Sequence, residues 1–439
     1  YQTFLIGLQG VGPVGGERYD GEDGVMRVIE QLEGVALPPS VWESSVLPAR
    51  VRDYRPAMLD GLLSSGEIVW VGSKTTGSKA KEPGLVALHP ADSLLLTVQD
   101  GEKNGGAPGE PVTLPDAVMA VLAPGGAYHA NQLAGMTRAA WDASSECVDE
   151  STGEILPHPW SDSQFEEALW SLVWQGKVTN SSFDPLRSLG ASSHAVKAPA
   201  RASRRRVRVR VSVPANMTGL WSAVPHADMQ EASAERVAIA RVEALLDRYG
   251  VIAPPMIDKE RLAGGFSGLY PVLRRMEEHG ALMRGMFVSG CGAAQFASRQ
   301  TVDALRACAA EPSAVVLDAT DPANLYGSVI AWPRTIGGFS IRPARRSGAS
   351  VVLRGGRLLA YAVPRSHHLL LAQDADPALQ QACNELAYAL QRNLRDGGIR
   401  GGVTFCDAND EPLTARGEWS RILHVAGFVP VPQGMRLYC

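Results

Sequence analysis

Four arginines alternate with valines near the middle of the chain, in the segment RASRRRVRVRVSV at 201–213. Successive side chains of an extended strand point to opposite faces, so one face of this segment is cationic and the other apolar. The arginines on the cationic face are Arg204, Arg206, Arg208 and Arg210. The guanidinium groups repeat about every 6–7 Å, which is twice the strand rise. Each guanidinium can bind a phosphate with two hydrogen bonds, so the row suits the backbone of a nucleic acid. The alternative is a solvated edge strand whose charges prevent edge-to-edge pairing.

Two carboxylates in the segment DATDPANLYG at 318–327 are candidate catalytic groups. They are Asp318 and Asp321. Asp321 also precedes Pro322, which is ordinary turn chemistry, so a purely structural role is the alternative.

Two motifs that would indicate nucleotide binding are incomplete. Gly10, Gly12 and Gly15 follow the G-x-G-x-x-G order, but Pro13 interrupts the turn and no helix pattern follows directly, so the stretch is interpreted as a glycine-rich loop. No G-x-x-x-x-G-K-[ST] phosphate loop occurs in the sequence. The chain is therefore expected to hold no ATP or other cofactor of its own.

The cysteines and histidines give no metal-binding pattern. The six cysteines form no C-x-x-C pair, which is typical of reduced thiols in a cytoplasmic protein. His367 and His368 adjoin each other without a third ligand at helical spacing, so no metal site is expected.

Composition describes a globular chain of several domains. It has 439 residues, of which 45% are hydrophobic and 20% charged. No apolar run approaches the length of a membrane span, so no membrane partner is expected. The formal net charge is only −4, and nucleic-acid binding would therefore depend on local basic surfaces. The sequence opens on Tyr1 without a start methionine, and we expect it to be a piece of a longer chain.

A helix-glycine-strand pattern occurs three times. In each copy, apolar residues at helical spacing end at a glycine that is followed by strand residues. The three glycines are Gly66, Gly176 and Gly280. Together with an earlier helix in each copy, the order predicts a winged helix, and three copies predict an array.

Strand signals dominate after about residue 311. Two apolar runs flank Gly355-Gly356, which predicts a β-hairpin, and helices are expected near 377–395 and 419–425. The predicted fold class is α+β, with tandem winged-helix domains followed by a C-terminal β-barrel-like domain. The predicted segments are winged helices at 22–110, 111–200 and 201–310, the last with the arginine-rich strand, and the barrel-like domain at 311–439.

The second helix of each repeat is the candidate reader of a nucleic-acid groove. Basic residues accompany it in the first and third repeats and acidic residues in the second. These are Arg52 and Arg55, then Glu166 and Glu167, then Arg274 and Arg275. Because carboxylates repel phosphate, repeats one and three are expected to contact nucleic acid and repeat two to be a spacer.

Trp170 and Trp174, at i and i+4 on the second repeat's helix, predict a wide apolar face. Such a face needs a protein cover. A second copy of the chain would give a homo-oligomer, and a neighbouring repeat is the alternative cover.

Four segments resemble the C-terminal region of the bacterial large helicase-related (Lhr) proteins. They are FEEALWSLVWQGKVTNSSFDPLR at 165–187, GGFSGLYPVLRRMEEHGALMRGMFVSGCGAAQFA at 264–297, DATDPANLYG at 318–327 and SGASVVLRGGRLLAYA at 347–362. The resemblance implies an ATP-dependent 3′-to-5′ DNA helicase of DNA repair, with winged helices and a β-barrel as its C-terminal part. The motor, with its ATP and Mg²⁺, should then lie upstream of Tyr1. The implied partner is single-stranded DNA or a tailed duplex.

The same arrangement is similar to that of AlkZ-type DNA glycosylases. That family uses a Gln-x-Gln pair, which this sequence lacks. A glycosylase could instead use one carboxylate, Asp318 or Asp321, to orient water or stabilise an oxocarbenium-like transition state, with the base flipped into a pocket. Two hypotheses therefore remain: a DNA-binding and assembly module of a helicase, and a glycosylase module that removes a damaged or deaminated base. The arginine-rich strand fits both.

Overall fold

The computed structural model describes most of the chain and divides it into two compact units. The described residues are 1–12, 18–74, 84–97, 113–144, 147–148, 155–156, 160–192, 214–225, 233–262, 264–308, 313–373, 378–396, 402–414 and 417–438. The first unit comprises Tyr1–Leu32, Val41–Arg55 and Ala234–Cys439, and the second comprises Glu33–Ser40 and Pro56–Ser233. This grouping is coarser than the four segments predicted above, which stay a prediction. No helix within the described ranges is both long and apolar enough to cross a membrane.

Helices occur throughout both units. They are α1 (Gln2–Leu8), α2 (Gly21–Gln31), α3 (Pro39–Val41, continued by a π-helical turn at Trp42–Val46), α4 (Pro56–Ser65), α5 (Leu114–Leu122), α6 (Ala130–Ser144), α7 (Asp162–Trp174), α8 (Asp184–Ser192), α9 (Ala234–Tyr249), α10 (Pro254–Glu260), α11 (Gly265–Glu278), α12 (Arg299–Ala307), α13 (Ala378–Asp396) and α14 (Glu418–Val425).

The strands are short except in the C-terminal third. They are β1 (Tyr19–Asp20), β2 (Val51–Arg52), β3 (Ile68–Ser73), β4 (Leu85–Pro90), β5 (Tyr128–His129), β6 (Cys147–Val148), β7 (Ile155–Leu156), β8 (Val178–Asn180), β9 (Leu220–Ala223), β10 (Val251–Ile252), β11 (Met283–Gly285), β12 (Gln295–Ala297), β13 (Ala314–Asp318), β14 (Ser350–Arg354), β15 (Arg357–Val363), β16 (His368–Leu371), β17 (Gly402–Phe405), β18 (Asp407–Ala408), β19 (Glu411–Pro412), β20 (Val429–Val431) and β21 (Gly434–Tyr438).

The three predicted helix-glycine-strand patterns are confirmed. Helices α4, α7 and α11 each end one or two residues before the predicted glycine, and β3, β8 and β11 follow it. Gly66, Gly176 and Gly280 have φ values of 79°, 71° and 77°. This left-handed conformation is the usual way for a helix to end, and glycine adopts it without steric cost.

Residues 234–307 of the first unit form a winged helix. Helices α9, α10 and α11 pack around a three-stranded antiparallel sheet of order β10-β12-β11. Their shared core includes Val242, Leu273 and Phe296, none of which has exposed area. Helix α11 and the loop between β11 and β12 occupy the positions of a recognition helix and a wing.

Two sheets fill the C-terminal part of the first unit. One has the order β13-β14-β15-β16-β18-β19 and the other β17-β21-β20, and α13 packs against β13, β14 and β15. The β14–β15 hairpin turns at Gly355 and Gly356, with φ values of 53° and 75°, as a type I′ turn requires. Within the described residues β13 and β19 remain unpaired edges of the larger sheet, so a closed barrel is not confirmed.

Tryptophans form the core of the second unit. Trp70 of β3, Trp170 of α7 and Trp221 of β9 have no exposed area. The Trp70 indole N–H donates to the Ser182 carbonyl at 3.2 Å, and the Thr179 hydroxyl donates to the Trp70 carbonyl at 2.7 Å. These bonds satisfy polar groups that burial would otherwise leave without partners.

Candidate functional site

The arginine-rich strand predicted at 201–213 lies outside the described residues. The role of Arg204, Arg206, Arg208 and Arg210 in binding nucleic acid therefore stays a prediction.

The basic residues predicted to lead the first repeat's second helix precede that helix. Arg52 is an exposed residue of β2, and its Nε lies 3.5 Å from Oδ1 of Asp20. Arg55 is exposed and comes directly before α4, which begins at Pro56. The proline explains this start, since it is favoured at the first position of a helix.

Arg274 and Arg275 are exposed on the C-terminal half of α11, but each has a carboxylate partner. Arg274 Nε lies 3.0 Å from Oε1 of Glu278, one helical turn further on. Arg275 pairs with Glu235 of α9. A phosphate would have to displace these carboxylates, which reduces the charge that α11 offers at this end.

Tyr270 in the N-terminal half of α11 contacts an arginine of β11 that has no acidic partner among the described residues. Arg284 of β11 is exposed, and Nη1 lies 3.5 Å from the Tyr270 hydroxyl of α11. No carboxylate among the described residues lies within ion-pair distance of it. Met283 and Met286 are 41% and 78% exposed. We call Tyr270, Met283, Arg284 and Met286 the wing surface.

The base of the wing is fixed by one buried side chain, Gln295 of β12. Its Oε1 accepts from the backbone N–H groups of Phe287 and Val288 at 2.8 and 2.7 Å. Its Nε2 donates to the carbonyls of Val288 and Gly292 at 2.8 and 2.7 Å. Gln295 therefore holds both sides of the loop and presents Met286 on an ordered support.

Asp321, the second predicted catalytic carboxylate, is fully buried in an ion pair. Arg50 donates two hydrogen bonds to the Asp321 carboxylate, with Nη1 3.0 Å from Oδ2 and Nη2 2.8 Å from Oδ1. Neither side chain has exposed area. Arg50 also donates to Gln9 Oε1 at 2.9 Å and to the Val46 carbonyl at 3.0 Å. Both Asp321 oxygens thus accept from Arg50, which favours the structural alternative, and a catalytic role for Asp321 stays a prediction.

Asp318 is half-buried and more available. Its carboxylate accepts from the backbone N–H of Thr320 and of Gly348, both at 2.8 Å, and from the Thr320 hydroxyl. Burial raises the pKa of this carboxyl above its usual value, although the hydrogen bonds act in the opposite direction and Asp321 adds a smaller upward effect. A carboxyl with a raised pKa can act as a general acid or base, while the bond to Thr320 N–H is the geometry of a turn.

Two basic residues near the 318–322 turn, Lys259 and Arg345, were not predicted from the sequence. Lys259 of α10 donates to the Pro322 carbonyl at 3.4 Å. Arg345 donates to the carbonyls of Thr320 and Asp321 at 2.8 and 3.2 Å. A sequence signal did exist for Lys259, because it is the only lysine after residue 197.

The tryptophan face predicted to join two copies of the chain is buried within the second unit, and the structure corrects that argument. Trp170 has no exposed area and Trp174 only 7%. Trp170 contacts the Trp174 and Trp221 rings at centroid distances of 5.5 and 5.6 Å. A Cβ on Gly72 or Gly84 would lie 3.0 or 2.8 Å from the Trp174 ring. The tryptophan face is therefore covered by the β3–β4 hairpin. This hairpin belongs to the neighbouring repeat, which was the alternative to a second copy of the chain.

Comparison with known proteins gives consistent relatives across the chain. Residues 1–91 and residues 231–316 each match a family described as "Large helicase-related protein, winged-helix domain". The chain is 38% identical to the Escherichia coli (strain K12) protein named "Lhr helicase/uracil glycosylase", over 95% of this chain and 26% of that protein. It is also 38% identical to the Mycolicibacterium smegmatis protein named "Lhr helicase/ probable uracil glycosylase", over 100% of this chain and 28% of that protein.

The chain thus spans little more than a quarter of the length of these relatives. Among solved structures, the Streptomyces sahachiroi DNA glycosylase AlkZ is similar, with a TM-score of 0.48 and 15% identity over 88% of this chain and 95% of that one. Two segments of this chain, 1–91 and 231–316, thus match winged-helix domains described for the large helicase-related (Lhr) proteins, and the chain is similar along its length to a region of two proteins named Lhr helicases.

Proposed function

We propose that this chain is a DNA-binding module of an Lhr-type helicase. The observation that carries the proposal is the 38% identity to two proteins named Lhr helicases, which extends over 95% and 100% of the chain. The winged helix at 234–307 supports it, because this fold commonly binds DNA through its recognition helix and wing. In this proposal the motor, with its ATP and Mg²⁺, belongs to the part of the parent that the chain does not span.

The parent would act in the cytoplasm in DNA repair, on single-stranded DNA or a tailed duplex. A barrel-like closure of the two C-terminal sheets and the formation of a homo-oligomer remain predictions. Neither is needed for DNA binding, and the buried tryptophan face no longer supports the second.

The wing surface is the part of this winged helix that we expect to contact DNA first. Arg284 offers an exposed guanidinium for a backbone phosphate, and Met286 offers an apolar side chain that can pack on a base. The Tyr270 hydroxyl holds Arg284 next to α11. Arg274 and Arg275 would contribute less because carboxylates already neutralise them.

The test is to compare the affinities of Arg284→Ala and Arg306→Ala variants for a fluorescent tailed duplex. Arg306 is a matched control, an exposed arginine on α12 of the same winged helix, 3.5 Å from Asp303. Loss of Arg284 should weaken binding and reduce the slope of log K against log salt by about 0.7–0.9, the value for one phosphate contact. Equal affinities for the two variants would exclude the wing surface as a contact.

The second candidate function is a uracil-DNA glycosylase module. It is favoured by the names of both relatives, which include uracil glycosylase, and by the raised pKa of Asp318. In this candidate Asp318 would orient water or stabilise the cationic sugar after the uracil is flipped out of the helix. Asp321 would position the turn through Arg50.

This candidate is tested by incubating the chain with a uracil-containing oligonucleotide and measuring abasic sites. Asp318→Asn removes the charge at nearly constant shape and should abolish release of the base. Glu278→Gln, an exposed carboxylate on α11, is the control and should leave it unchanged. Wild-type chain that binds the oligonucleotide and releases no uracil would leave only the DNA-binding function.

A further inference from the structure

Lys259 is an unusual residue in this chain. The sequence has 42 basic residues, of which only seven are lysines, and Lys259 is the only one after residue 197. It lies in the last turn of α10 and is half-buried. A buried cation is costly unless a carboxylate neutralises it, so the groups around its amine decide its charge.

The carboxylates near the Lys259 amine are committed to other partners. Glu260 accepts from Arg248 and from the Tyr249 hydroxyl, and Asp321 is held bidentately by Arg50. The amine itself donates to the Pro322 carbonyl at 3.4 Å and lies 5.1 Å from the centroid of the Tyr249 ring. It therefore has a backbone dipole and an aromatic face as neighbours, and no ion-pair partner within the described residues.

Two guanidinium groups raise the local positive potential. Arg345 is fixed by the carbonyls of Thr320 and Asp321, and Arg248 by Glu260. Burial lowers the pKa of Lys259 to about 7, with Arg345 as the next cause and Arg248 as a smaller one; Glu260 and Asp321 oppose the shift. The amine is then partly neutral near pH 7. A neutral lysine is nucleophilic, and desolvation beside another cation is a known way to activate it.

We propose that Lys259 is a nucleophilic amine that forms a Schiff base with an aldehyde, namely the ring-opened deoxyribose of an abasic site in DNA. The choice of aldehyde rests on the second candidate function, because removal of uracil leaves that sugar. Lys259 contacts the carbonyl of Pro322, and Asp318 lies four residues before Pro322 in the chain. The carboxyl that would assist base release and the amine that would capture the product are thus associated with opposite ends of one five-residue segment, 318–322.

The reaction needs no oxidant or metal. The Nζ lone pair adds to C1′, the carbonyl oxygen leaves as water, and a C1′=Nζ imine remains. Water then removes a proton from C2′, the C3′–O bond breaks and the 3′ phosphate leaves with the electron pair of that bond. Hydrolysis of the imine returns the amine and leaves the unsaturated sugar aldehyde at the 3′ end of the upstream strand. The outcome is a single-strand break at the abasic site.

The experiment uses the full chain, a duplex with a preformed abasic site, and sodium cyanoborohydride, which reduces an imine to a stable amine. Wild-type chain should form a covalent adduct whose peptide map places the sugar on Lys259. Lys259→Ala and Lys259→Arg should lose at least about tenfold in adduct yield, since arginine keeps the charge but forms no imine under these conditions. Lys177 is another half-buried lysine. The Lys177→Ala variant is the control and should form the covalent adduct in the same yield as the wild-type chain.

The result separates this inference from the functions on which it rests. The abasic site is present from the start, so a chain without glycosylase activity can still form the adduct. Binding is measured independently with a tetrahydrofuran analogue, which has no aldehyde. A wild-type chain that binds the analogue but gives no adduct, or an adduct that persists in a folded Lys259→Ala variant, would overturn the role of Lys259 and leave DNA binding intact.

Discussion

At the scale of single residues, the important contacts join positions that are distant in sequence. Arg50 and Asp321 are 271 positions apart and form a fully buried pair. The sequence identified Asp321 from its local motif and gave no sign of Arg50, because an ion pair of this kind depends on tertiary packing. Asp321 therefore looked like a free carboxylate and is instead one half of a salt bridge.

The buried Arg50–Asp321 pair predicts that losing one partner destabilises the chain strongly, whereas losing both costs less than the sum of the two losses. Asp321→Asn or Arg50→Met alone should lower the free energy of unfolding by about 3–5 kcal/mol, because each leaves one buried charge without its partner. The combination of Arg50→Met with Asp321→Asn should cost less than the sum of the two single changes. Urea denaturation of the four proteins gives the coupling energy. Additive losses would show that the two groups do not interact.

The Lys259 amine predicts a dependence of stability on pH. Its pKa is about 7 in the folded chain and about 10.5 when unfolded, so between these values the unfolded state binds more protons. The contribution of Lys259 to the free energy of unfolding therefore rises with pH between about 7 and 10.5. Below pH 7 the amine is charged in both states, and the full cost of desolvating it is present. Lys259→Met should raise the melting temperature at pH 6 by about 2–4 °C for each kcal/mol recovered, and the gain should shrink by pH 9. An equal difference at both pH values would contradict the lowered pKa.

At the scale of elements, the sequence predicted most of what is local. The spacing of apolar residues and the glycines at 66, 176 and 280 placed three helices and the strands after them, since both signals act within a few residues. The Gly355-Gly356 hairpin followed for the same reason. A neighbouring repeat was one of two predicted covers of Trp174, but the sequence could not decide between them, because Gly72 and Gly84 approach Trp174 from about a hundred residues away.

The wing is an element whose order depends on Gln295, and its loss should be visible locally. Gln295→Leu keeps the volume and removes four hydrogen bonds, so we expect a loss of about 1–3 kcal/mol from buried groups left without partners. Amide exchange in a peptide covering 283–297 should accelerate. Gln300→Leu, at an exposed position on α12, is the control. Unchanged exchange in the wing after Gln295→Leu would show that other contacts hold it.

At the scale of the whole molecule, the formal net charge of −4 makes overall attraction to DNA weak. We therefore propose that binding depends on local cationic surfaces, namely the wing surface and the predicted strand at 201–213. The Arg206→Ala, Arg208→Ala and Arg210→Ala triple variant should therefore bind unrelated sequences more weakly and to a similar extent. Unchanged affinity would identify that segment as a solvated edge strand.

The most direct test of DNA binding is the affinity of the wild-type chain for a labelled tailed duplex, measured by fluorescence anisotropy between about 50 and 200 mM salt. We predict saturable binding with log K falling linearly with log salt, by about 0.9 for each phosphate contact on duplex DNA, and with similar slopes for unrelated sequences. Absence of binding at the lowest salt concentration, or an affinity that does not change with salt, would contradict the proposal that this chain is a DNA-binding module.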